Sequence, residues 1–226
     1  MTLLGIETSG KTASVAILKD GTVMACETVY TTLTHSQTIV PMIQRAVQSA
    51  SMTFDDIEKI AVSAGPGSYT GIRIGIAAAK GMCLKNDLPV CGVSTLKALG
   101  YNLIPFEGNI LSVMKARDKI AYFAAFKSDG QRLHTLKEDC VCNIDSIPEV
   151  ANALTGRTLL VGDWAEYIKS ELFLNDERVN TAPPHKLLQD AKGVCAAAIA
   201  DGNFLPADKL KASYLQITKA EKDRLS

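Results

Sequence analysis

The first thirty residues hold two turn signals, three strand patterns and no helix pattern, and this order constrains the fold more than any other feature. Leu3-Leu-Gly-Ile6 and Ala13-Ser-Val-Ala-Ile-Leu18 are short apolar runs, separated by the small polar stretch Glu7-Thr8-Ser9-Gly10-Lys11. Asp20-Gly21 follows, a dipeptide that tolerates the positive φ of a tight hairpin turn, and leads into a third strand over 22–29. A dinucleotide-binding chain places a helix after its first strand, so three consecutive antiparallel strands point to another α/β plan.

Helical spacing begins at Ile39. Ile39, Ile43, Ala46, Val47 and Ala50 recur at three- and four-residue intervals and predict an amphipathic helix, with Pro41 in its first turn or at a kink. Thr53 with Asp56 three residues on predicts a capping box, and Ile60-Ala-Val-Ser63 a strand that ends in Gly65-Pro66-Gly67. The block Gly65-Pro-Gly-Ser-Tyr-Thr-Gly-Ile-Arg-Ile-Gly75 then opens a helix of about fifteen residues. Gly71, Gly75 and Ala79 form a small-residue stripe along it. A glycine in a helix costs about 1 kcal/mol against alanine, so the stripe calls for close packing or a functional reason. Pro89 to Val93 predicts a strand, and Ser94-Thr95 caps a helix through Leu99.

Around Pro105 to Gly108 the chain passes from one lobe to the next, giving lobes of 1–104 and 105–226. The same order restarts there, with strands over 110–114 and 120–126, a turn at Asp129-Gly130, a strand over Leu159-Leu-Val161, and an amphipathic helix over 186–200. Strands followed by helices, twice over, describe a duplicated α/β fold. The charged end, 219–224, suits a solvated helix terminus.

Composition narrows the function. The 226 residues carry 24 Lys/Arg and 24 Asp/Glu, without the basic excess of a chain that grips nucleic acid by itself. The longest apolar stretch, 194–200, is seven residues, against the ~20 that cross a bilayer. The opening lacks the basic region of an export signal, and six scattered cysteines suit reduced thiols, with Cys83, Cys91 and Cys195 buried. The expected setting is therefore the cytosol.

The chemical motifs are incomplete. The Gly65–Gly71 loop could cradle phosphate on backbone N–H groups. Yet a P-loop needs Lys and Ser/Thr where Ile72 and Arg73 stand, and a dinucleotide fingerprint needs glycine where Thr70 stands. Ser68 is not in a Gly-x-Ser-x-Gly elbow. Glu7 could orient a metal-bound water or a phosphate, or accept hydrogen bonds in its turn. His35 precedes a helix as a cap, an interface residue or a ligand. Cys140-x-Cys142 lacks partner ligands for zinc.

Taken together, Gly5-Ile-Glu-Thr-Ser9, His35-Ser-Gln37 with Pro41, and the Gly65–Gly75 block resemble the TsaB (YeaZ) family of tRNA threonylcarbamoyladenosine biosynthesis. Leu160-Val-Gly-Asp163 and Ser213-Tyr-Leu-Gln216 are weaker echoes. The resemblance implies a two-lobed fold of the actin, hexokinase and heat-shock ATPase kind, each lobe a mixed sheet with helices. It implies a scaffold without cofactor, metal or membrane contact. This scaffold would bind the catalytic paralogue TsaD and, with it, the ATPase TsaE, would meet tRNA only through the complex, and would pair with itself when alone. The paralogue's two metal-binding histidines align with Thr95 and Leu99. Where relatives carry Asp-Ala-Arg, this chain has Lys115-Ala116-Arg117. The implied partner face comprises His35, Ile39, Ile43, Val47, Tyr69, Gly71, Arg73, Gly75, Ile76 and Lys80. The rival reading is an enzyme of the same superfamily, a phosphotransferase or a peptidase, resting on Glu7 and the Gly65 loop.

Overall fold

The computed structural model describes residues 1–30 and 34–215; the charged end at 219–224 lies outside the described residues. Strands β1 (Thr2–Glu7), β2 (Thr12–Lys19) and β3 (Thr22–Tyr30) come first, then α1 (His35–Ser49), β4 (Lys59–Gly65), α2 (Tyr69–Cys83), β5 (Val90–Ser94) and α3 (Thr95–Tyr101). The second half runs β6 (Glu107–Arg117), β7 (Ile120–Asp129), β8 (Leu133–Asn143), α4 (Ile147–Asn152), β9 (Thr158–Val161), α5 (Ala165–Leu172), β10 (Val179–Thr181) and α6 (Ala191–Asp201). The sheets are ordered β3-β2-β1-β4-β5 and β10-β9-β6-β7-β8. Each has an antiparallel three-strand meander and two parallel strands added at the first strand's other edge. Replacing β1–β5 by β6–β10 converts one order into the other, so the duplicated strand-then-helix order is a duplicated topology.

Strand alternation assigns the layers. In β1, Leu4 and Ile6 point to one face and join Ile39, Ile43, Val47 and Ala79 of α1 and α2. Leu3 points to the other face and joins a core shared by both sheets, with Leu96 and Leu99 of α3, Val194 and Cys195 of α6, and Ile110 and Phe126 of the second sheet. Beyond the second sheet, Ile147 and Ile168 of α4 and α5 close a third core on Leu111 and Phe123. The result is five layers, with α3 and α6 in the middle.

Those central helices are exchanged. α3, from the first half, contacts β6 and β7, whereas α6, from the second half, lies on β1, β2 and β4. Two contiguous lobes, 1–104 and 105–226, are therefore corrected at the C-terminal side, because α6 and the segment after it complete the first sheet. Leu205 exchanges both backbone hydrogen bonds with Val90 on the free edge of β5, Leu210 is buried in the α1/α2 core, and Ser213 N–H donates to Ala64 O at 2.7 Å. The helix expected over 186–200 begins only at Ala191, where Asp190 caps it by accepting from Lys192 N–H. It is not amphipathic. Sandwiched between layers, it buries small residues over most of its surface while Lys192 and Ile199 stay exposed, and a Cβ on Gly193 would lie 2.3 Å from Ala98 O of α3.

Several local expectations hold. Thr53 and Asp56 form the capping box, α2 has fifteen residues, and Ser94 caps α3 by accepting from Lys97 N–H. α1 begins four residues before Ile39, which places Pro41 inside the helix beyond its first turn. Strand β8, which carries Cys140 and Cys142, is additional to the expected elements.

Candidate functional site

Two regions gather the residues singled out by sequence: the β1–β2 turn facing the space between the sheets, and the outward side of α1 and α2. At the turn, the Gly-rich loop wraps the end of β1. Ser68 N–H donates to Ser9 O at 2.7 Å, Gly71 N–H to Ser68 Oγ at 3.2 Å, and Thr8 Oγ1 donates to Gly71 O at 2.8 Å. These loop donors, which a phosphate would need, are spent on the chain's own turn and helix cap.

The glycine stripe serves the same contact. A Cβ on Gly71 would lie 2.1 Å from Thr8 O, and one on Gly75 2.3 Å from Thr8 Oγ1. Gly71 and Gly75 thus face the protein's own first strand, and their place on a partner face is corrected. Gly71→Ala should destabilise the chain by about 1–3 kcal/mol, as overpacked interiors do. Gly81→Ala, on the same helix with nothing near its added Cβ, should stabilise it by about 1 kcal/mol. Denaturant titration of the pair tests both signs, and equal effects would contradict the packing assignment.

His35 is likewise turned inward. Its Nε2 donates to Gly10 O at 2.8 Å, tying α1 to the β1–β2 turn, while Nδ1 is buried without a partner. Ile39 and Ile43 are each 1% exposed and Val47 4%, packed on Leu4, Ile6 and Ile17. Ile39, Ile43 and Val47 leave the expected partner face, because α1 needs its apolar stripe to cover its own sheet, whereas His35 is half-buried with its ring tied to Gly10. Tyr69 and Arg73 remain exposed and Ile76 and Lys80 half-buried, alongside Val40, Pro41 and Gln44 of α1, which the helical spacing did not mark because they lie off the apolar stripe.

Glu7 is fully buried. Its Oε1 accepts from Ser9 N–H at 2.5 Å and Ser9 Oγ–H at 2.6 Å, and Oε2 has no partner. Burial pushes its carboxyl up to about 7, against the opposing pull of the Ser9 and Ser63 hydrogen bonds. Thr95 and Leu99, where the resemblance sets the paralogue's histidines, are both inaccessible. Leu99 lies in the shared hydrocarbon core and the Thr95 hydroxyl is unpartnered. One hydroxyl beside a leucine is a poor donor set for a transition metal. Among the described residues, no three His, Cys, Asp or Glu side chains come together as a metal site.

A cleft of about 520 Å3 opens between the sheets, lined by Lys11, Lys115, Asp163, Trp164 and Gln189. Asp163 Oδ1 accepts from the Lys115 backbone N–H at 3.0 Å, while the Lys115 ammonium lies over the Trp164 ring. Cys83, Cys91 and Cys195 are buried, and burial pushes their thiols up, away from the reactive thiolate. Cys140 and Cys142 are half-buried on β8, and Cys140 donates to Phe123 O.

Residues 30–160 match the family model described as TsaD, tRNA N6-adenosine threonylcarbamoyltransferase. The chain is 30% identical to the tRNA threonylcarbamoyladenosine biosynthesis protein TsaB of Escherichia coli, an alignment that covers 96% of this chain and 95% of that protein. Among solved structures, an uncharacterized protein with similarity to peptidase YEAZ from Pseudomonas aeruginosa is similar with a TM-score of 0.82 at 23% identity, covering 95% of this chain and 99% of that one. The ROK hexokinase of Thermus thermophilus is similar with a TM-score of 0.51 at 11% identity, covering 89% of this chain and 100% of that one. These likenesses agree with the duplicated sheets in an actin- and hexokinase-like two-lobed fold, α/β in class. With the sequence match along nearly its whole length, the chain belongs to the TsaB family of tRNA threonylcarbamoyladenosine biosynthesis proteins.

Proposed function

We propose that the chain is a non-catalytic subunit of this machinery, a scaffold that docks on the threonylcarbamoyltransferase TsaD and, within that pair, is bound by the ATPase TsaE. The observation that carries the reading is Leu99 packed in the core shared by the sheets, with Thr95 beside it, where the catalytic paralogue's metal ligands align. Transfer of the threonylcarbamoyl group would then take place in the partner. The loop of Gly65 to Gly71 supports the same reading, since hydrogen bonds to Ser9 and Ser68 occupy donors that a nucleotide-using enzyme would turn to its ligand. A peptidase is disfavoured because Ser68 Oγ caps α2 while His35 Nε2 is committed to Gly10.

The docking face in this reading is the outward side of α1 and α2, with Tyr69, Arg73, Ile76 and Lys80 retained from the sequence expectation and Val40, Pro41 and Gln44 added. In the partner's absence this face would pair with a second copy, in the cytosol where the modification substrate lies. Depleting the protein in cells should lower threonylcarbamoyladenosine in bulk tRNA, measured by mass spectrometry of digested nucleosides. Omitting it from a reconstituted mixture with TsaD and TsaE should do the same. Unchanged modification in both settings rules the reading out, and peptide cleavage or phosphotransfer by the chain alone would favour the enzyme instead.

A further inference from the structure

The outward side of α1 and α2 has a charge pattern that composition conceals. Although 24 of the 226 residues are acidic, no Asp or Glu occurs between Glu27 and Asp55, or between Glu58 and Asp87. Both helices lie wholly inside those gaps. They carry Arg45, Arg73 and Lys80 and no compensating acid of their own. Arg45 is paired with Glu27 of β3 at 2.5 Å, whereas among the described residues Arg73 and Lys80 form no ion pair.

Arg73 is held in place by aromatic rings. Its guanidinium carbon lies 3.9 Å from the centre of the Tyr69 ring and 5.9 Å from that of Tyr214, and Nε–H donates to the Tyr214 hydroxyl at 3.0 Å. Tyr214 comes from the far end of the chain. It is carried there by the segment that buries Leu210 and bonds Ser213 to Ala64, and its ring centre is 5.0 Å from that of Tyr69. An arginine fixed through Nε and stacked on a ring has lost its rotamer freedom before any partner arrives, and its two Nη groups make no other hydrogen bond among the described residues. A planar fork of this kind matches a carboxylate. Tyrosine and arginine are also the residue types that dominate binding at protein interfaces.

We propose that Arg73 anchors a protein partner that presents an Asp or Glu carboxylate, and that Tyr214 is its positioning residue. This rests on the docking reading above and adds the chemistry by which the face chooses its occupant. A two-fold contact between two copies would set the unpaired Arg73 and Lys80 of one copy against those of the other, with no acid on α1 or α2 to receive them. A heterologous acidic face suffers no such repulsion, so it is preferred over self-pairing.

The full-length protein should be titrated by calorimetry with purified TsaD, at low and at high salt, and its self-association followed by sedimentation. Arg73→Glu is expected to weaken heterologous binding at least a hundredfold, and Arg73→Lys at least tenfold, since lysine keeps the charge but not the fork. Tyr214→Phe should weaken it about three- to tenfold with an unchanged thermal midpoint. Arg73→Glu should also flatten the salt dependence, which the loss of a residue that merely supports the fold would not do, whereas Arg73→Lys should keep it. Wild-type binding that Arg73→Glu leaves intact overturns this inference alone, as does self-association tighter than heterologous binding. If the wild-type protein does not bind TsaD, the docking reading falls and takes the inference with it.

Discussion

Ile43→Asp should abolish cooperative folding, whereas Val40→Asp, three residues earlier on the same helix, should leave the fold and its stability nearly unchanged. Ile43 is 1% exposed and packs with Leu4, Ile6 and Ile17 of the first sheet; Val40 is 50% exposed. Removing a buried isoleucine forfeits about 2–3 kcal/mol of transfer free energy. The carboxylate put in its place has no cation or hydrogen-bond donor arranged for it, and an unpaired buried charge costs several kcal/mol more. The sum exceeds about 5 kcal/mol, the lower end of typical domain stability. A surface change such as Val40→Asp stays within about 0.5 kcal/mol. Circular dichroism with urea titration separates the two, and the binding assay with TsaD should then register Val40→Asp on an intact fold. A folded, monomeric Ile43→Asp that had lost only partner binding would return this residue to the docking face.

That pair of residues shows where legibility ended. The spacing of Ile39, Ile43 and Val47 identified a helix and its apolar stripe, because burial on one side imposes the period. Periodicity does not say whether the covering surface is the chain's own sheet or another protein, and here it is the chain's own. Local turn chemistry gave the first three strands, the capping box at Thr53, and the fifteen-residue helix after Ser68. Strand β8 escaped because it is a mostly solvated edge strand whose Leu133 to Asn143 run lacks a buried alternate face. The exchanged seating of α3 and α6 escaped because it is decided by packing between halves, not by neighbours in sequence. The site was limited in the same way. His35 is joined to Gly10 across 25 positions and Arg73 to Tyr214 across 141, and neither pairing leaves a local signature. What was legible of the site was a misfit, hydrocarbon at Leu99 and Ile72-Arg73 after the glycines, and the geometry gives that misfit its physical form.

Glu7→Gln should stabilise the protein at neutral and alkaline pH and leave it unchanged in mild acid. The Glu7 carboxyl is fully buried, and burial raises it from an ordinary value of 4.5 to about 7. Below pH 4.5 the folded and unfolded chains both hold the proton, and the group has no effect on stability. Between pH 4.5 and about 7 the folded chain keeps a proton that the unfolded chain has released, so stability falls as pH rises, by about 1.4 kcal/mol per pH unit. Above about 7 the folded chain must hold the buried charge, and the accumulated cost, on the order of 3 kcal/mol, persists. Glutamine keeps the shape and can still accept from Ser9 N–H and Oγ–H, but it carries no charge to desolvate. The difference in unfolding free energy between variant and wild type, taken from urea titrations at pH 4.5, 6 and 8, should therefore grow from zero to a plateau. Asp139 and Asp163 are also raised by burial and contribute a decline of the same sign to both proteins, so it cancels in that difference. Parallel curves at all three pH values would mean that Glu7 ionises inside the fold without cost, through solvent or a cation reaching the unpartnered Oε2. A larger gap that continues to widen above pH 8 would place its folded value higher still, with the carboxyl acting in the working protein as a neutral hydrogen-bonded group beneath the β1–β2 turn.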